Sequence, residues 1–251
     1  SLVPLNALFQ RRRPEDIGQL PDGGSAEAVN IHATSAETPG SSPAKPITKR
    51  CWRLPEVLSS FPFWTIAIGH LAVGTSMSIM FTHTVAHLIH VGLDRLTAAW
   101  IFSLVGAARI PGTVTWGFAS DRLGRARAYR IGVFIALGGV GLLMALDPGA
   151  PRWCFVAFAL LYGLGHSATG PTFGSTITDI FWGRNVATIV GLLEVTFGLG
   201  TALGSWFGGF TYDVTGSYKY AWILVLLSLA LSYMSIHGSL FWQRRFGPNS
   251  R

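Results

Sequence analysis

Two residues could do chemistry where charge is least welcome: Arg109 and Glu194 each stand well inside a long apolar run. A charge at mid-bilayer costs at least ~2.5–3.5 kcal/mol, so it faces a cavity, a partner or a function. An arginine fork matches a carboxylate bidentately, and a glutamate in apolar surroundings can carry a proton. A fixed ion pair between helices is the plainer reading, as is snorkelling for Arg109. Tyr162 and His166, at i and i+4, share one face midway along another run and either line the same kind of cavity or pack as satisfied core residues. His83, His87 and His90 occupy i, i+4 and i+7, again one face. That spacing could hold zinc or form one box of a membrane di-iron enzyme, but the remaining histidines, His32, His70, His166 and His237, are scattered. Pore-lining or interfacial histidines are the expectation, with His83 counted among the translocation residues and no metal site.

The elements that must position these residues are membrane helices. Of 251 residues 49% are hydrophobic and 12% charged, about half the ~25% of a soluble domain. Six apolar stretches, near 61–88, 96–118, 129–146, 153–176, 186–210 and 220–242, each approach the ~20 residues a helix needs to cross ~30 Å of hydrocarbon. Connections are short, so neighbouring helices run antiparallel. Open strands cannot leave backbone groups unpaired in lipid, and the runs lack strict alternation, so the expected class is all-α integral membrane.

Residues 1–60 read as the end of a preceding helix followed by a Pro/Gly/Ser/Thr-rich linker, disordered on composition, and residues 243–251 as a tail. Of the 19 Lys and Arg, 15 fall on the linker's side of the membrane and three (Arg95, Arg152, Lys219) on the other, with Arg109 inside a span. That bias makes both ends cytoplasmic. The +7 charge therefore reflects orientation, and no nucleic-acid partner is expected. Cys51 and Cys154 form no disulfide framework. The pattern Gly204-x3-Gly208 allows close helix approach, and Pro171 is placed to kink the fourth span.

Between the second and third runs lies Gly117-Phe-Ala-Ser-Asp121-Arg122-Leu-Gly124-Arg125, a basic, glycine-punctuated turn. With Arg11 to Gly18 and the passage Gly209 to Tyr218, it resembles the Major Facilitator Superfamily of secondary transporters, and within it the monocarboxylate and oxalate:formate exchanger-like branch. The resemblance implies the C-terminal six-helix half, a 3+3 repeat, of a twelve-helix fold, in a bacterial inner membrane. Its partners would be a small organic anion, the bilayer, and a missing N-terminal half or a second copy. It implies no cofactor and no enzyme activity, and transport that is proton-coupled or an exchange. It also implies that Gly117, Asp121, Arg122, Gly124 and Arg125 form a cytoplasmic gate, in which Arg125 pairs with Asp179 and Asp121 meets the missing half. Two departures stand out. Ala126 occupies a basic position of the motif, and Thr113 stands where many relatives have an arginine, with Arg109 one turn earlier. Anchoring of the loop arginines to anionic headgroups competes with gating. A non-transporting helical interaction module competes with transport, and an intramembrane metalloenzyme is the remaining contrast.

Overall fold

Prolines in the first turn, where a missing N–H costs nothing, open α1 (Leu54–Leu58) and α2 (Phe61–His90). The computed structural model describes residues 52–246 except 182 and 184. The linker, the stretch before it and the residues beyond 246 lie outside the described residues. Asp94 caps α3 (Arg95–Leu123), its Oδ1 accepting from the N–H groups of Leu96 and Thr97 at 3.1 and 3.0 Å. Bonds from the Thr97 side chain and backbone hold the Asp94 carboxyl below the ordinary carboxylate range. The chain continues through α4 (Arg125–Ala145), α5 (Arg152–His166), α6 (Thr169–Ile180), α7 (Val186–Thr215) and α8 (Lys219–Phe246). Gly216, left-handed at φ 67°, ends α7. Among the described residues all regular structure is helical.

Two boundaries differ from the sequence expectation. The motif from Gly117 is not a loop: α3 runs on through Leu123, and Gly124 alone separates it from α4. Gly124 has φ 84°, a conformation that side chains rarely adopt. The fourth run is two helices rather than one. Pro171 lacks the N–H that would reach the Ser167 carbonyl, and its ring crowds that carbonyl, so the break falls one turn before the proline, at Ser167 and Ala168. Consequently α5 and α6 are only 15 and 12 residues long. Four segments, α2, α4, α7 and Lys219–Gln243 of α8, are by themselves long and apolar enough to cross a membrane.

Packing follows the small residues. One stripe of α7 backs onto α2 so closely that a Cβ at Gly204 would stand 2.5 Å from the Thr75 carbonyl oxygen, and one at Gly200 would strike the Leu71 carbonyl. Ser78 and Ser205 bond across the same seam at 2.5 Å. On its other side α2 meets α8, where Ser235 donates to the Thr65 carbonyl. Helix α5 packs against both α3 and α4, and α8 touches α4, with Tyr129 and Ser232 hydrogen bonded at 2.8 Å in the core. The opposite face of α7 is bulky, apolar and exposed: Val195, Leu199, Trp206, Phe210 and Val214.

Candidate functional site

Helix α3 presents Arg109 half-buried, its guanidinium 5.3 Å from the centre of the Phe81 ring on α2. Among the described residues no carboxylate pairs with it. Its charge instead acts on Tyr162 and His166 of α5. Those two rings lie 5.2 Å apart between centres, with 0% and 2% of their surface exposed. Among the described residues neither the Tyr162 hydroxyl nor either nitrogen of His166 has a hydrogen-bond partner. Burying an unpaired polar group costs roughly 1–3 kcal/mol, so these three atoms mark an unusual polar patch in the α5 core. Arginine, phenol and imidazole together offer a charge and several donors to an oxygen-rich anion.

Glu194 is elsewhere. It is exposed on α7, near enough for its charge to act on the buried His70 of α2, and among the described residues it makes no ion pair with Arg109. The two mid-span charges are therefore not an ion pair. His70 packs edge-on to Phe173 at 4.7 Å, and its Nδ1–H donates to the Ile66 carbonyl at 3.3 Å. Nothing in the spacing of His70 sets it apart, because its partners come from other helices. His83 donates from Nε2 to the Ser205 carbonyl at 3.1 Å and lies two residues from Phe81, on the opposite side of α2 from Arg109. His87 meets Trp222 at 5.1 Å, and His90 meets Tyr212 at 5.9 Å. His83 and His87 also share Tyr218, at 5.6 and 5.8 Å, so the three histidines meet one aromatic cluster from α7 and α8, and among the described residues no group of three or more His, Cys, Asp and Glu could hold a metal.

The motif residues converge only in part. Arg125 Nη2 lies 2.8 Å from Asp179 Oδ2 at the end of α6, and Gln243 of α8 donates to the Asp179 carbonyl at 3.4 Å. The neighbouring Ile180 carbonyl accepts the Trp52 indole N–H at 3.0 Å, while Asn185 donates to the Trp52 carbonyl at 2.9 Å. Asp121 and Arg122 are exposed. A Cβ at Gly117 would meet nothing within 4 Å, so Gly117 permits no close helix approach among the described residues.

The family model described as Major Facilitator Superfamily matches residues 66–250. The chain belongs to the Major Facilitator Superfamily. It is similar to monocarboxylate transporter 13 of Bos taurus, 26% identical over 172 residues, and of Rattus norvegicus, 28% identical over 173, each alignment covering 68% of this chain. It is also similar to an uncharacterized MFS-type transporter, YhjX, of Escherichia coli (strain K12), 26% identical over 163 residues that cover 62% of this chain and 38% of that one. The chain spans about two fifths of the length of the curated relatives it matches, 40% for both monocarboxylate transporters. Within the superfamily its likeness lies in the monocarboxylate branch. Superfamily membership and the apolar helices together make it an integral membrane protein of a transporter family rather than of an enzyme family.

Proposed function

We propose that this chain is the C-terminal six-span half of a secondary transporter that moves a small organic anion, a monocarboxylate or dicarboxylate, by alternating access. The spans are α2, α3, α4, the broken pair α5 and α6, α7 and α8, with both ends cytoplasmic. A preceding six-helix half, or a second copy, completes the pathway. The observation that carries the reading is Arg109, a half-buried cation without a carboxylate partner among the described residues, beside the orphaned polar atoms of Tyr162 and His166. Arg109 takes the substrate carboxylate, and Tyr162 and His166 give its remaining oxygens hydrogen bonds. Glu194, with His70, serves proton coupling or exchange from the exposed face of α7. His83 belongs to the outer part of the pathway. The relatives' names support the substrate class.

Reconstitution of the intact membrane protein in liposomes tests this directly. Radiolabelled short-chain mono- and dicarboxylates are expected to accumulate saturably and to compete with one another. Folded, reconstituted protein that takes up none of them, under a proton gradient or with acid inside for exchange, overturns the reading and leaves a helical interaction module.

Gating rests on the end of the bundle that carries Gly117, Asp121, Arg122, Gly124 and Arg125. The Arg125–Asp179 bridge joins α4 to α6 there and breaks as the gate changes state. Its side chains are 26% and 42% exposed, so the pair contributes no more than about 1 kcal/mol. Arg125→Asp is accordingly expected to change the uptake rate about fivefold. The double variant Arg125→Asp with Asp179→Arg is expected to restore most of the loss, and equal rates in the single and double variants would show that the bridge does not gate.

A further inference from the structure

The bend between α5 and α6 sits directly after His166, and the hydrogen bonds that close it fall into two kinds. Most are local. Ala168 N–H reaches back only to the Gly165 carbonyl at 3.3 Å, Thr169 Oγ1 donates to the His166 carbonyl at 2.8 Å, and Ser167 Oγ donates to the Leu164 carbonyl at 2.6 Å. These bonds span three residues each and travel with the bend whatever its angle. One is different. The Trp116 indole N–H on α3 donates to the same Leu164 carbonyl at 2.7 Å, forty-eight residues away in sequence. It ties the α5 side of the bend to α3, while on the α6 side the Tyr129 hydroxyl of α4 bonds the Thr169 side chain.

Trp116 also stands at i+7 from Arg109, two turns along the same face of α3. One face of one helix therefore carries both the cation and the donor that grips the helix bearing Tyr162 and His166. We propose that Trp116 is a positioning residue: its indole N–H sets the α5–α6 bend and so holds Tyr162 and His166 in register with Arg109. The consequence for substrate binding rests on the reading of those three residues as the anion site, whereas the consequence for the bend does not. Because Pro171 has already removed one backbone bond from this turn, the bend has a weak ladder of its own, and an outside grip has correspondingly more leverage. The far end of α6, held by Arg125 through Asp179, then moves with an angle that α3 sets.

The experiment uses the intact protein, purified, reconstituted and spin-labelled at Val156→Cys and Thr178→Cys in a cysteine-free background. Both positions are exposed and they lie on either side of the bend. Trp116→Phe keeps most of the ring and deletes the N–H. The interlabel distance distribution, narrow in the parent, is expected to broaden. In unlabelled protein the KM for a competing short-chain monocarboxylate is expected to rise about fivefold while Vmax per molecule stays within about twofold, the factor one hydrogen bond supplies. Ser167→Ala, which removes only a local bond, leaves the distribution narrow. An unchanged distribution in Trp116→Phe overturns the proposal, and so does a broadened one whose KM equals the parent's. Broadening in a protein whose parent transports no carboxylate instead upholds the grip on the bend and defeats the anion-site reading. If Trp116→Phe does not accumulate in the membrane, the same labels in Trp116→Leu, which carries no side-chain donor, decide the question.

Discussion

Arg109→Gln is expected to reduce carboxylate uptake at low substrate concentration by about 100-fold or more, with the protein still inserted and folded. Losing one member of a buried, hydrogen-bonded charge pair costs 2–5 kcal/mol, and about 100-fold corresponds to the lower part of that range. The pair here is the arginine and the substrate, because no carboxylate of the described chain occupies the guanidinium. That is also why folding should survive: among the described residues Arg109→Gln orphans no acidic side chain. Arg109→Lys should retain a measurable fraction of uptake, since the charge persists while the planar fork is lost. Equal uptake in parent and Arg109→Gln, measured across the concentration series in liposomes, would remove Arg109 from the pathway and with it the central argument for an anion site.

The second large effect is structural and carries a change of sign. Gly200→Ala and Gly204→Ala are each expected to lower the stability of the purified protein by roughly 1–3 kcal/mol, because overpacking of that order follows when a methyl is forced into a filled seam. At both positions the obstacle is backbone of α2, the carbonyls of Leu71 and Thr75, which cannot rotate aside as a side chain can. Gly198→Ala, on the same helix with nothing within 4 Å of its Cβ, should instead gain roughly 0.5–1 kcal/mol from helix propensity. Thermal unfolding midpoints should therefore fall for two of the variants and rise for the third. A rise for all three would mean that the seam between α2 and α7 has room for a methyl, and a fall for all three that Gly198 also lies against a neighbour.

How far the residues foretold this arrangement depends on the range of the interactions involved. The helical class and most helix limits were legible because they rest on local periodicity and on breakers: the run expected at 61–88 is Phe61–His90, and the run at 186–210 is Val186–Thr215. The glycines of α7 also showed their use in advance, since small residues at four-residue spacing make a packing stripe wherever a partner is available. What failed was pairing between helices. Arg109 and Glu194 invited each other as opposite charges, yet their positions along their own spans say nothing about which faces meet, and the fold leaves Glu194 exposed on α7 without an ion pair to Arg109 among the described residues. His83 shares a helical face with His87 and His90 in the sequence but is spent on an α7 carbonyl. Trp116 drew no notice because an indole in an apolar run resembles a packing residue until the carbonyl it serves is known.

The break in the fourth run was foreseeable as a kink and not as two separate helices. Proline identifies the lost bond, but whether a helix resumes smoothly depends on which donors catch the freed carbonyls. At Leu164 and His166 these are Ser167, Thr169 and a tryptophan from α3.

Gly124 has a mechanical consequence. A single residue joins α3 to α4, and consecutive Cα atoms are only 3.8 Å apart, so the two helices are pinned where they meet and cannot slide past each other by even one turn. No neighbour lies within 4 Å of where its Cβ would be, so no side chain from another element packs over the pin. Relative motion of the pair therefore reduces to a scissor action, with almost no travel at Arg125 and the largest travel at the far ends near Asp94 and Leu146. Arg109, partway up one blade, would sweep a shorter arc than the tips.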